Sequence, residues 1–476
     1  MRVQQLVLIF IVVLAIQVSS DSSIDDVLVR QDLFDVKHQT SFVNEKVTKQ
    51  IDLSALVPTQ RIEIKTTYKK KGDPSSYFVT FQKETSDKIA FIKASMIDGS
   101  TLEIVRDDKQ SINGYSVYSI NFPKEESTKK FHFIVELDLI NSQIPSPKTV
   151  TQKEDLFLVY ADNIFFYTPY LTKTQKTEIS FPSNFVKSHT KLTPTELKGN
   201  KLVCGPYKKI NGFSHADLKV HFQNNQPLPR IKSLTKTLTV SHFGNLFVDE
   251  YYVISNEQAK LVGEFSRLDY SRNRQLSGRG SFQDVALHLH EKAYGFEYFD
   301  IIGNISTSQY TKTNDQTVIN LKTRFPIFGE WKTDFHFTYN IPLKHALSKS
   351  KKTGLYRLTF PFGSSINAPI EDFEIKIILP EGTSKINAET PFGVDSQSFQ
   401  VYNEFLDTTG RPVLVLEKKL LVPSHNQNIE IFYDLSFVDM WRKPILLVTI
   451  FFIVFCLIIL ISRINLSLYK SKRKQD

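Results

Sequence analysis

The sequence predicts a mainly β protein in which two antiparallel β-sandwich-like lumenal domains precede a single transmembrane helix. Three observations lead there. Apolar and polar residues alternate at period two in many separate runs, which puts one face of each run in a core. The composition, with 37 Phe and 19 Tyr against 18 Gly, supplies β-favouring aromatic surface and lacks the bias of a disordered chain. One uncharged apolar stretch long enough to cross a bilayer lies near the C-terminus.

Residues 1–20 carry one positive charge, Arg2, then an apolar run over 6–18, with Val18 and Ser20 at the usual recognition positions. This is the pattern of a signal peptide, and the run is short for a retained anchor. Residues 444–462 contain no charge and form the expected transmembrane helix. The tail, 463–476, holds Arg463, Lys470, Lys472, Arg473 and Lys474, more basic residues than the Arg442 and Lys443 that precede the span. That asymmetry puts the tail in the cytosol and the body in the lumen, a type I topology. Lys472 and Lys474, three and five positions from the last residue, match a dilysine retrieval address of the endoplasmic reticulum.

In the body, Ile62, Ile64, Thr66 and Tyr68 oppose Arg61, Glu63, Lys65 and Thr67. Phe131, Phe133, Val135, Leu137 and Leu139 oppose His132, Glu136 and Asp138, and the pattern returns at Phe335–Ile341, Tyr356–Phe362, Phe373–Leu379 and Ile429–Leu435. Turn-forming residues punctuate these strands, as at Asn113-Gly114, Asn211-Gly212, Pro380-Glu381-Gly382 and Thr409-Gly410, so antiparallel sheets packed as sandwiches are expected. No repeat of fixed short period is visible. The polar, Pro-punctuated stretch 223–229 marks the boundary, giving lumenal domains over 21–226 and 227–443.

Charge and cysteine content exclude several classes. Of the net charge of +9, Arg2 supplies one unit and the last 14 residues four, leaving +4 for the body; that is no nucleic-acid-binding surface. Cys456 lies in the apolar span and Cys204 is alone in the ectodomain, so no intrachain disulfide can form there. Such a protein depends on cores and partners, which suits the endoplasmic reticulum better than the cell surface.

Catalytic signatures are sparse. His288-Leu289-His290-Glu291 would place two imidazoles on one strand face, but two ligands at that spacing are cheap without a third. There is no G-x-S-x-G elbow, no Walker A loop and no singled-out carboxylate pair. No catalytic residue, cofactor or metal is therefore expected. The basic run 68–72 reads as a solvated turn. Asn304-Ile305-Ser306 is an N-glycosylation sequon on the lumenal side, whereas Asn465-Leu466-Ser467 lies past the span, away from the glycosylation machinery.

Several long segments carry a resemblance. Residues 300–308, 324–333 and 339–342, together with 242–254, 265–272 and 160–183, resemble the ribophorin I family, subunit 1 of the oligosaccharyltransferase. The resemblance covers essentially the whole ectodomain and the span. It implies a non-catalytic subunit beside a multispanning catalytic protein that transfers a lipid-linked oligosaccharide to Asn of N-x-S/T acceptors. Its implied partners are that catalytic subunit, the other subunits, nascent polypeptides and the membrane. Its implied role is assembly and acceptor engagement. Animal members continue into a substantial cytosolic domain linked to ribosome and translocon contact; 14 residues follow the span here, so a ribosome-docking role is not carried over. The other classes open to a β-rich type I protein are a lumenal chaperone or cargo receptor, and an autonomous hydrolase built around His288 and His290.

Overall fold

The computed structural model describes residues 41–69, 76–107, 115–122, 129–272, 279–312, 316–351 and 353–464. The signal peptide, Asn465, Lys472 and Lys474 lie outside them. The strands expected from alternation form with the expected faces: Ile62 and Ile64 are buried while Arg61 and Lys65 are exposed, and Phe131, Phe133, Val135, Leu137 and Leu139 are all buried. The mainly β fold with one C-terminal apolar helix is as the sequence predicts.

Each half of the body is built on a long central strand. In the first, Phe42–Asp52 pairs antiparallel with Thr59–Tyr68, which pairs with Lys130–Leu139. On its other side it pairs parallel with Thr172–Ser180, which pairs antiparallel with Lys201–Ile210. In the second, Pro229–Val240 has Asn245–Asn256 and then Lys332–Pro342 on one side, and parallel Ile370–Ile378 followed by antiparallel Arg411–Leu421 on the other. The sheets are therefore antiparallel except for one parallel join at the same place in each.

The second layers match as well. Val186–His189, Asp217–Gln223, Phe157–Asn163 and Gln143–Pro145 lie side by side in the first half, and Ser384–Glu389, Asn428–Asp434, Tyr356–Pro361 and Leu347–Lys349 in the second, each set in the same chain-order permutation. The molecule is a tandem duplication of one topology. Alternation alone does not show it, because topology conserves pairing order and not residue type.

A buried cation occupies the same register position in both copies. Lys49 lies opposite Thr177 and Lys236 opposite Ile375, in each case the sixth residue of the nine-residue parallel partner. Lys49 donates to Asp162 at 2.7 Å and to the carbonyl of Asn163 at 2.8 Å. Lys236 donates to the carbonyls of Gly363 at 2.7 Å and Pro361 at 3.2 Å, lies 3.2 Å from Glu250, and sits over the Phe360 ring. Both lysines thus tie the central strand to the end of the same second-layer strand. Burial pushes the Lys236 ammonium below its ordinary pKa, with Glu250 opposing.

The buried apolar residues fall into separate clusters. Those of the first half end at Phe222 and those of the second begin at Ile231. Between the halves, Lys260–Leu261 pairs parallel with Thr149–Val150. A small cluster of Val57, Ile140 and Val422 joins them too, with His425 edge-on to Phe91 of the first half and Phe392 of the second.

Candidate functional site

The C-terminal helix, Phe437–Arg463, starts at Ser436, whose hydroxyl accepts from the Asp439 N–H at 3.1 Å, a standard N-cap with an acidic residue in the first turn. Its window of membrane-spanning length is 0% buried by the rest of the chain, unlike a core helix. The first turns are bolted to the body. Lys443 lies 2.5 Å from Asp407 and 3.6 Å from Glu404, and Arg411 pairs with the same two carboxylates. Arg442 pairs with Asp439 at 2.5 Å and lies 3.6 Å from Glu381.

Glu381 accepts from the N–H and hydroxyl of Thr408 at 2.8 and 2.6 Å, and from those of Thr409 at 2.6 and 3.0 Å. Burial pushes its pKa up, but these donors outweigh it and hold the carboxyl at about 2. Gly382, at φ +82°, lets the backbone approach the helix: a Cβ there would lie 2.6 Å from the side chain of Asp439. The two cations before the span are thus neutralised by the body.

Asn304 is exposed, paired with Phe299 across a tight hairpin. The hairpin is braced: Asp300 accepts from the N–H groups of Ile302 at 2.9 Å and Gly303 at 3.1 Å, while the Arg324 guanidinium forks onto the Asp300 carboxylate and also donates to the Gly303 carbonyl at 3.1 Å. Arg324 holds the Asp300 carboxyl at about 2. The sequon therefore projects from a stiff tip crowned by Ile301, 95% exposed.

His288 and His290 face solvent on the strand Phe282–His290, alternating with buried Val285, Leu287 and Leu289. The shared face is as the spacing requires. His290 stands beside His345, ring centroids 5.7 Å apart, with its pKa lowered by burial and then by His345. Among the described residues no three His, Cys, Asp or Glu side chains converge as metal ligands. A polar groove of about 770 Å³ lies in the first half, where Gln82 contacts His215 at 3.1 Å and His215 contacts Asp217 at 2.7 Å.

Residues 324–333 span the turn, 328–331, that joins Gln316–Ile327 to Lys332–Pro342. Gly329 is obligatory, since a Cβ would fall 1.9 Å from the Ala259 carbonyl oxygen, and Glu330 follows at φ +64°. The Trp331 N–H closes the turn onto the Phe328 carbonyl at 2.9 Å. Phe265, Phe325 and Phe328 pack around the Trp331 ring, with centroids 5.4 to 6.1 Å away. A segment specified at this density leaves few substitutions free.

The ribophorin I family profile matches residues 42–462. The chain belongs to the ribophorin I family. It is 32% identical over 443 residues to dolichyl-diphosphooligosaccharide-protein glycosyltransferase subunit 1A of Arabidopsis thaliana, covering 91% of this chain and 72% of that one. It is 31% identical over 432 residues to subunit 1 of Caenorhabditis elegans, covering 89% and 73%, and 28% identical over 442 residues to subunit 1B of Oryza sativa subsp. japonica, covering 89% and 91%. Among solved structures, an M1 zinc metallopeptidase from Deinococcus radiodurans overlaps 43% of this chain and 42% of its own at 13% identity with a TM-score of 0.26, too slight a likeness to bear on fold or chemistry.

For this ribophorin I family member, sequence reasoning found the sequon, the paired histidines and the span. It missed the helix clamp, because Glu381, Asp407 and Arg411 are scattered through the sequence and meet only when the sheet is formed. It also missed the two buried lysines; each sits in an alternating strand on a core-facing position, and that misplaced charge was the available signal.

Proposed function

We propose that this chain is a non-catalytic subunit of the oligosaccharyltransferase, anchored in the endoplasmic reticulum membrane by its one helix with the body in the lumen, where it supports assembly and acceptor engagement. The observation that carries the reading is membership of the ribophorin I family over residues 42–462, with relatives named as subunit 1 of the dolichyl-diphosphooligosaccharide-protein glycosyltransferase. The partners are the catalytic multispanning subunit, the other subunits and nascent polypeptides. The chemistry is placed in another chain, the catalytic multispanning subunit.

Several assignments go with this reading. The body divides into domains at 226/227, in keeping with its separate core clusters. Asn304 carries a glycan, and Lys472 and Lys474 serve retrieval; exchanging both lysines for Ser in an unassembled chain should send it to the Golgi. Native purification in mild detergent tests the central claim. A multispanning glycosyltransferase should copurify in near-stoichiometric amount, and recovery of this chain alone would refute it. Replacing His288, His290 and Glu291 with Ala should leave glycosylation unchanged, and lost activity with intact assembly would return the chemistry to this chain.

A further inference from the structure

Two turns of the second half stand beside the first turns of the helix. Residues 404–407 form a closed turn in which the Asp407 N–H donates to the Glu404 carbonyl at 3.0 Å and the Asp407 carboxylate accepts from the Glu404 N–H at 2.7 Å. At its tip are Phe405, 86% exposed, and Leu406, held at φ +67°. A leucine in the left-handed region is an uncommon, strained arrangement, and such strain persists only where the surroundings impose it. Both charges of the turn are already paired, Glu404 with Arg411, and Asp407 with Arg411 and Lys443, so what the tip presents is apolar.

The second turn, residues 241–244, joins the first two strands of the same half and carries Phe243, 62% exposed, 5.7 Å from Trp441. Trp441 lies about 4.5 Å along the helix axis before Pro444, where the apolar run begins. Phe437 and Val438 are exposed on the preceding turn. Both tips are therefore fixed at the level where the helix enters the membrane, one through Lys443 and one through Trp441. An aromatic side chain at that level sits in the boundary of headgroups and acyl chains.

We propose that the turn at 404–407 and Phe243 dip into the headgroup layer, so that the second half of the body rests on the bilayer surface and is not suspended above it by a free tether. The occupant is the membrane itself, by continuity with the span: the ion pairs that seat the turn are made by the last charged residue before the apolar run, Lys443. The inference rests on the helix spanning a bilayer and not on the subunit role.

The test uses the full chain, alone and in its purified complex, in phosphatidylcholine nanodiscs. With Cys456→Ser as background and Cys204 buried, nitroxides are placed by Phe405→Cys, Phe243→Cys, Ile301→Cys and Ile453→Cys. All four positions are exposed or lipid-facing, so none disturbs a core. Collision with oxygen relative to a water-soluble nickel chelate should be several-fold higher at 405 and 243 than at 301, and lower than at 453. A value at 405 equal to that at 301 would put the turn in water and overturn the proposal. Shielding of 405 from both reagents in the complex would seat the turn on a protein partner and overturn it as well. A water-like value at 453 would overturn the span on which it depends.

Discussion

Lys236→Met removes the cation from a site where Lys236 is 1% and Glu250 0% exposed. Glu250 would keep its bonds from Ser365 at 3.0 Å and Tyr252 at 2.7 Å but no counter-charge, while Gly363 would lose the donor to its carbonyl. Leaving one member of a buried pair uncompensated costs about 3–5 kcal/mol. For a unit of this size that is a fall in Tm of about 6–20 °C. The exposed pair Arg61 and Glu136, 3.5 Å apart with side chains 53% and 46% accessible, is the control, and Arg61→Ala should cost about 1 kcal/mol or less. Thermal unfolding of the full chain in detergent, followed by circular dichroism, measures both. The double variant Lys236→Met with Glu250→Gln should regain part of the loss, because no bare charge remains. If Lys236→Met melts within the range of the Arg61→Ala control, the claim that this lysine fastens the two layers is wrong.

His425 is buried, accepts from the Val422 N–H at 3.2 Å, and is held at about 4 by burial and then by Lys418. Its ordinary pKa is 6.5, so as pH falls from 6.5 to about 4 the unfolded chain takes up a proton that the folded chain refuses. Stability present above pH 6.5 is lost across that window, to a depth on the order of 3 kcal/mol, and His425→Gln should flatten the slope in a pH series of denaturant melts. Glu381 is also depressed, from 4.5 to about 2, so the helix clamp should hold above pH 4.5 and weaken from there towards pH 2. Protease sensitivity of the junction at residues 434–443 reports it, and Glu381→Gln should show that sensitivity at neutral pH. Asn304→Gln should abolish a single-glycan mobility shift on endoglycosidase treatment; a shift that survives would place the glycan elsewhere.

The period-two pattern was sufficient for the strands, because Ile62, Phe133, Phe335 and Ile431 each lie on a face that meets a core whatever its partner strand. Pairing order was not legible. Nothing in the Phe42–Asp52 segment announces that it joins Thr172–Ser180 in parallel, since a strand buried on that side accepts either direction. The sequon was plain, yet its bracing by Arg324 required a contact across 24 residues. The clamp was hidden for the opposite reason. Arg442 and Lys443 look like a generic basic flank, and only the fold brings Glu381, Glu404 and Asp407 to them.

The parallel join at the middle of each copy imposes a delay on folding during synthesis. After Asp52 emerges, 119 residues must follow before Thr172 can pair with the open side of its strand, and between Val240 and Ile370 there are 129. At about 5–20 residues per second the first copy waits about 6–24 s and the second slightly longer. Throughout that time each central strand offers an unsatisfied edge, a template for wrong pairing. Asn304 is synthesised inside the second interval, before its sheet can close, so the sequon first emerges on an unfinished domain.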